Sequence, residues 1–439
     1  MNVIIIGAGT GGMCLAHGLK KAGVSVKVYE RDRSRTDGLY GYRVGIDPTG
    51  NRALKECLPP ELFDTFVATC ARAPKYLNVL TERGRFTASF PLRDDHDPVN
   101  SERSVSRMTL RQVLLTGMED VVEYGKEFTS YERNADGTIT AYFADGTSAT
   151  GDVLVAADGT NSRVRRQYLP HAQVKDSGVI AVSAKIPVTD ETRALLPREV
   201  FEGLSMVFAP RGKFCIWHVM EFKWDRDGAV KDGIGGNEAE LVEKWPGLLY
   251  DNTRDYINWG FSASVDKYPA NVMELRGEEL IELALDMTRD WAPNMRRLIT
   301  MSDPGSCFPI NIRTSVPIDP WPSTNITLLG DAIHTMTPGR GVGANTALRD
   351  AMLLCRELTS GKPVVEAITA YEREMVPYGF ARVKDSLAQN GMNGDDALHK
   401  PVIGRLMLAV NRAFFAVTDR IPALKRKFIA AQYAYRGAE

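Results

Sequence analysis

Val3-Ile4-Ile5-Ile6-Gly7-Ala8-Gly9-Thr10-Gly11-Gly12 decides the fold. Four β-branched residues in a row predict a strand buried on both faces, and the run leads straight into a Gly-x-Gly-x-x-Gly turn. A helix-competent segment follows over residues 13–21, then a second apolar run over 24–29 that ends at Glu30. In that context the three glycines have separate tasks. Gly7 turns the chain tightly, Gly9 lets a pyrophosphate approach the backbone at the helix N-terminus, and Gly12 lets helix and strand pack closely. Glu30, at the tip of the second strand, can accept hydrogen bonds from an adenosine ribose. The stretch predicts a dinucleotide-binding strand–helix–strand unit and leaves open whether the dinucleotide is NAD or FAD.

Around this unit lies a chain of 439 residues, enough for two or three domains. Hydrophobic residues make up 44% and charged residues 25%, an ordinary globular balance. A net charge of −1 gives no reason to expect nucleic acid as a partner. The six cysteines (Cys14, Cys57, Cys70, Cys215, Cys307, Cys355) are scattered and form no Cys-x-x-Cys, which argues against a metal cluster or a disulfide framework. A reducing cytoplasm is the expected location. The first strand starts at Val3, which leaves no room for a signal peptide, and no apolar run approaches the roughly 20 residues of a membrane span.

Downstream, residues 42–46 read as a short strand and 48–58 as a helix, while 76–80 and 85–90 alternate as strands do. Residues 93–98 form a charged, solvated loop. Residues 107–114 have helical spacing and place Arg107 and Arg111 on one face near the helix start, where neither helps the macrodipole. A polar ligand and a surface ion pair are equally compatible with that pair. Residues 138–143 and 147–150 flank Ala144-Asp145-Gly146, a hairpin signal. Residues 152–157 form another buried strand, delivering Asp158-Gly159 at the end where open α/β sheets contact ligands.

Strand patterns without intervening helices occupy about 176–265, which predicts an antiparallel sheet inserted into the α/β domain. Phe214, Ile216, His218 and Met220 share one face there, and His218 reads as a satisfied core histidine. Gly233-Ile234-Gly235-Gly236 follows no strand and is rejected as a second dinucleotide site. Residues 277–300 are helical by pattern.

A third buried strand, 326–329, leads to Gly330-Asp331-Ala332-Ile333-His334 and then to Pro338-Gly339-Arg340-Gly341-Val342-Gly343-Ala344-Asn345, with a helix from about 344 to 358. Gly341 and Gly343 free the backbone to bend around a flat ligand, and the helix N-terminus offers it unpaired amides and partial positive charge. Asp331 can accept hydrogen bonds from a sugar-alcohol chain. Beyond it, 364–391 reads as one or two helices broken near Pro377. Residues 402–417 read as an apolar helix packed on the body or on a second subunit, in preference to a membrane-surface helix, and Lys425-Arg426-Lys427 as a solvated helix end.

Three motifs thus stand in order: Gly7-x-Gly9-x-x-Gly12 with Glu30, Asp158-Gly159, and Gly330-Asp331 with the Pro338-to-Asn345 loop. Together they resemble the class A flavoprotein monooxygenases, the single-component aromatic hydroxylases of the salicylate and para-hydroxybenzoate type, over most of residues 1–375. The resemblance implies an α/β fold: a Rossmann-like FAD-binding domain (1–70, 101–175, 297–375), an inserted antiparallel-sheet substrate domain (71–100, 176–296) and C-terminal helices (376–439). It implies that Gly7, Gly9, Gly12 and Glu30 hold the ADP half of FAD and that Arg107 contacts the cofactor. Asp158 would serve FAD and the arriving nicotinamide, and Asp331 the ribityl or ribose hydroxyls. Pro338 would lie beside the flavin ring, Gly343, Ala344 and Asn345 along its pyrimidine edge, and the charge of Arg340 near the substrate. Where many relatives read Pro-x-Gly-Gly-Gln-Gly, this chain reads Pro338-Gly339-Arg340-Gly341-Val342-Gly343.

The activity so implied is hydroxylation or epoxidation of an aromatic or polyketide-like molecule by O2 through a flavin hydroperoxide. No protein nucleophile takes part, and NADPH or NADH is a transient co-substrate. The expected partners are a small aromatic or polycyclic substrate and O2, with no nucleic acid and no membrane span, in a monomer or homodimer. Phe208, Phe214, Trp217, Met220, Trp259 and Phe261 would supply a dry wall for the reaction. A flavin halogenase is disfavoured because none of the six tryptophans lie two apart. A flavin oxidase or reductase without oxygen insertion, and a non-catalytic flavin-binding partner, remain as alternatives.

Overall fold

In a computed structural model the described residues are 1–35, 43–92, 97–223, 255–389 and 391–437. Part of the charged loop at 93–98, the rejected glycine cluster at 233–236, and Trp224 and Trp245 lie outside them.

The first sheet is built from β1 (Asn2–Ile6), β2 (Ser25–Glu30), β7 (Val122–Tyr124), β11 (Val153–Ala156) and β17 (Ile326–Leu328), in the order β17-β11-β1-β2-β7. Every neighbouring pair is parallel: Ile4 stands beside Leu154 on one side and Lys27 on the other, and Leu154 beside Ile326. Parallel pairing sends all carboxyl ends to one edge of the sheet. The Gly7 turn, Glu30, Asp158 and Asp331 therefore meet along that edge although they are scattered over the sequence. The strands are buried on both faces, with Val3, Ile5, Val28 and Val153–Val155 essentially without solvent contact. The helix Thr10–Lys21 packs Met13, Leu15 and Leu19 into this core.

Two small pieces frame the sheet. β3 (Arg43–Ile46) and β6 (Arg103–Ser106) form an antiparallel ribbon, and β8 (Phe128–Arg133), β9 (Ile139–Phe143) and β10 (Ser148–Gly151) form a meander whose last turn is the expected hairpin.

The second sheet has seven strands: β4 (Tyr76–Thr81), β5 (Phe86–Pro91), β12 (Val174–Pro187), β13 (Gly203–Phe208), β14 (Phe214–Met220), β15 (Tyr256–Ser264) and β16 (Phe308–Ser315), in the order β16-β12-β15-β14-β13-β4-β5. Only β13 and β4 pair in parallel, so the sheet is mixed with a predominantly antiparallel ladder. Side chains alternate across it. Trp217, Val219, Ile257, Trp259 and Phe261 point to the back, into a core shared with the helices Glu278–Met287 and Pro293–Thr300. His218, Met220, Tyr256 and Asn258 occupy the front, which faces the β3–β6 ribbon. The dry wall expected from Trp217, Trp259 and Phe261 is therefore corrected: the two-residue period carries them away from the front. Phe208 and Phe214 lie instead beneath the C-terminal helices, with Phe415 and Phe428.

Two further expectations change. Pro377 does not break its helix, which runs unbroken over Val364–Leu387. Burial of Tyr371, Met375, Val376, Phe380 and Val383, with the Tyr371 hydroxyl donating to Leu328 O at 2.9 Å, outweighs the amide lost at the proline. The helix Ile403–Arg420 packs only part of its apolar surface: Leu408 is buried, while Leu406, Val410 and Phe414 face solvent. Among the cysteines, Cys57 and Cys355 converge beside Gly18, and Cys14 hydrogen-bonds with Cys57, so three positions far apart in sequence share one patch of core as free thiols. Among the described residues no helix is long and apolar enough to cross a membrane.

Candidate cofactor and substrate site

The turn after β1 separates glycines needed by the protein from one that is not. A Cβ on Gly7, whose φ is +104°, would lie 2.5 Å from Ala157 O, and one on Gly12 would lie 2.4 Å from Gly7 O. A Cβ on Gly9 would meet nothing closer than 3.9 Å. The space over Gly9 is thus free of protein. Gly9 also begins a helix with no side-chain cap and no acidic residue in its first turn, so the first amides are left for a ligand.

Glu30 is buried beneath the turn: Oε2 accepts from Ala8 N at 2.7 Å and Oε1 from Asp32 N at 3.0 Å. Each oxygen keeps a lone pair for a ribose hydroxyl. Asp32 in turn pairs with Arg111 at 2.7 Å. Of the two arginines on that helix, Arg111 is the ion-pair residue, and Arg107 is exposed and acts electrostatically on Asp331.

Asp158 accepts from Arg163 N at 2.9 Å through Oδ2, while Oδ1 is buried without a partner. Burial pushes its carboxyl above the usual range. Asp331 is accessible to solvent yet crowded by protein on nearly all sides, the situation of a side chain on the wall of a cleft. Burial raises its carboxyl, against the pull of His334 and Arg107. Asp350, which the sequence reading missed, fixes this corner. It accepts from Gly330 N at 2.8 Å, meets His334 Nε2 at 2.6 Å and receives the Tyr378 hydroxyl. Burial opposes the charge on His334, but Asp350 outweighs it and the imidazole rises above its ordinary value.

In the glycine-rich loop, Gly341 has φ +64° with no atom within 4 Å of where a Cβ would stand, and the following helix Gly343–Leu358 again lacks a side-chain cap or early acid. Gly343 and Ala344 are partly accessible at its start. Asn345 is different: Oδ1 accepts from Asp47 N at 3.0 Å and Nδ2 donates to Gly45 O at 2.9 Å, so its side chain ties the helix to the ribbon and only its backbone is left to a ligand. Pro338 is exposed at the loop's start, and the Arg340 guanidinium stacks over Tyr435, 5.0 Å from the ring centre.

The front of the second sheet carries orphaned polar atoms. Both ring nitrogens of His218, the Tyr256 hydroxyl and Asn258 Oδ1 are buried without hydrogen-bond partners. Burial and then Arg43 hold His218 well below the ordinary imidazole range, so it is neutral. Arg43, on the ribbon, donates from Nε to Ser104 Oγ at 3.1 Å, and burial pulls its guanidinium down to about 10. His218 is therefore buried but not satisfied, against the sequence reading. A buried polar group persists without a partner only at a cost, so this group is a candidate substrate contact. Strand alternation in β14 gave its face; the nearby Arg43 was not legible, because the ribbon is distant in sequence.

A parallel sheet with a dinucleotide turn, beside a second, mostly antiparallel sheet, defines a two-sheet dinucleotide-binding protein. Residues 302–386 match the family described as FAD binding domain, and residues 5–36 the family described as NAD(P)-binding Rossmann-like domain. A crystal structure from Photorhabdus luminescens, assigned as an FAD-containing monooxygenase, is 34% identical with a TM-score of 0.76, covering 89% of this chain and 98% of that one. The urate hydroxylase of Klebsiella pneumoniae, FAD-dependent by name, is 27% identical over 85% of each chain. A dual O-methyltransferase/FAD-dependent monooxygenase of Cercospora beticola is 30% identical over 85% of this chain but 44% of its own length. The chain spans about half the length of the curated relatives first matched. It belongs to the FAD-dependent monooxygenases of the class A, aromatic-hydroxylase type. FAD is the cofactor of that family, and the cleft fits it: open space over Gly9, two uncapped helix starts, and the unpartnered Oδ1 of Asp158.

Proposed function

We propose that this chain hydroxylates or epoxidises an aromatic or polyketide-like small molecule, using O2 and NADPH or NADH. Bound FAD supplies hydride acceptance and oxygen activation. The chain's own residues bind and orient. Gly7, Gly9 and Gly12 form the pyrophosphate turn, Glu30 accepts from the adenosine ribose, and Arg107, Asp158 and Asp331 line the path of the cofactor toward the second sheet. The amides at Gly343, Ala344 and Asn345 face the pyrimidine edge, with Pro338 alongside. The observation that carries the reading is the common edge of the parallel sheet, where the Gly9 opening, Asp158 and Asp331 meet. On the substrate side, Arg43, neutral His218, Tyr256 and Asn258 favour a planar ring bearing carbonyl or phenolic oxygens.

The test is a screen of phenols and polycyclic aromatics for compounds that accelerate NADPH consumption, with mass spectrometry of the products. A product heavier by one oxygen atom supports the proposal. Consumption that yields only hydrogen peroxide, with every candidate recovered unchanged, would leave an oxidase. A purified chain that takes up no FAD would end the proposal altogether.

A further inference from the structure

The C-terminal helices carry a surface that the cofactor cleft does not use. On the helix Ile403–Arg420, Leu406, Val410, Phe414 and Val417 are 68%, 62%, 54% and 47% exposed. At 100° per residue they fall in one stripe with Ile403, flanked by the small Ala409 and Ala413. The opposite face holds the helix to the body through Leu408 and Phe415, so the stripe is not its packing face turned outward by error of register. An apolar strip of this kind on a folded surface marks a contact.

Charge decides what the contact is. Residues 400–437 contain eight Lys and Arg against Asp419 alone, a net +7 in a chain whose total is −1. Arg412, Lys425 and Arg436 are engaged by Glu82, Asp419 and Glu102. Lys400, Arg405, Arg420, Arg426 and Lys427 are exposed and form no ion pair among the described residues. A second copy of this chain is a poor occupant. Two copies docked stripe to stripe bring two surfaces of net +7 together, with Arg420 beside the stripe on each. Neither helix is long and apolar enough to span a bilayer. A helix with an apolar stripe and a cationic surround lies flat in the interface of an anionic bilayer.

We propose that the two C-terminal helices, Ile403–Arg420 and Pro422–Tyr435, dock this protein on an anionic lipid surface. Leu406, Val410, Phe414 and Val417 enter the headgroup boundary, and Lys400, Arg405, Arg420, Arg426 and Lys427 meet the lipid charge. The experiment is co-sedimentation of the full FAD-loaded chain with phosphatidylcholine vesicles and with vesicles containing phosphatidylglycerol. Binding to the anionic vesicles is expected to exceed binding to the neutral ones by tenfold or more and to fall as salt is raised. The double variant Leu406→Glu, Phe414→Glu should lose it while keeping flavin content and circular dichroism. Arg426→Glu, Lys427→Glu should weaken it by roughly fivefold for each cation removed. No sedimentation with either vesicle, equal sedimentation with both, or retention by the Leu406/Phe414 variant overturns the proposal. A concentration-dependent dimer that Leu406→Glu dissociates also overturns it and assigns the stripe to a second copy.

Discussion

Gly7 and Gly9 lie two residues apart and answer to different physics, which makes them separable by substitution. Gly7→Ala must place a methyl 2.5 Å from Ala157 O at a positive φ, so it should destabilise the fold by about 1–3 kcal/mol, read as a lower melting temperature with or without FAD. Gly9→Ala meets no protein atom closer than 3.9 Å. It should leave the apo protein's melting temperature nearly unchanged and weaken FAD binding by roughly tenfold or more, since the methyl fills the ligand's space. Equal effects of the two variants on apo stability would count against the assignment. His218 offers a second contrast. Both ring nitrogens are buried without partners, so His218→Leu should stabilise the unliganded protein by about 1 kcal/mol in urea unfolding. The same change should raise KM for the aromatic substrate. A histidine that served only the core would show the first effect without the second.

Among the elements, the long helix Val364–Leu387 and β17 are joined by a carboxyl with an unusual titration. Glu372 accepts from Ser323 Oγ at 2.5 Å and Thr327 Oγ1 at 2.8 Å, and burial pushes it up to about 7. In the unfolded chain it ionises in the ordinary carboxylate range, so over the interval between that range and pH 7 the folded state holds the extra proton. Stability contributed by this group is complete below the unfolded value and is lost as pH rises through about 7. Glu372→Gln should therefore match wild type near pH 4 and exceed it by about 1–3 kcal/mol at pH 8 in denaturant titrations. A constant difference across that range would rule the account out.

At this scale the sequence was most informative where one local period sufficed. The run Val3–Ile6 into Gly7 and the alternation of β14 and β15 gave strands, faces and the first glycine turn directly. It misled where packing overrides a local rule, as at Pro377, whose helix is held by Tyr371 and its buried neighbours. Asp350 was invisible because its role comes from meeting Gly330 N and His334 across a turn. For the same reason alternation assigned Trp217 and Trp259 to a face but could not say which face met the cofactor domain.

Over the whole molecule, the tail and the glycine-rich loop are fastened together. Tyr435 lies under Arg340 and Arg382, Arg436 pairs with Glu102 at 3.2 Å, and Arg52 donates to Gly437 O at 2.8 Å. No reading of the sequence joined the residues after 390 to this corner. Tyr435→Ala should loosen the loop and admit water, so the fraction of consumed NADPH recovered as hydroxylated product should fall, with the balance appearing as hydrogen peroxide. An unchanged product ratio would confine the tail to structural support.

Such leakage bears on the sulfur atoms gathered beside Gly18. Donation to the Cys14 sulfur, and then burial, keep Cys57 protonated, and the hydrogen bond to Cys57 and burial do the same for Cys355. Oxidants attack the ionised form of cysteine, so Cys57 and Cys355 would stay inert beside the oxidant that the proposed chemistry generates. Resistance to self-inflicted damage is thereby built into the interior, with no need for the chain to dispense with cysteine.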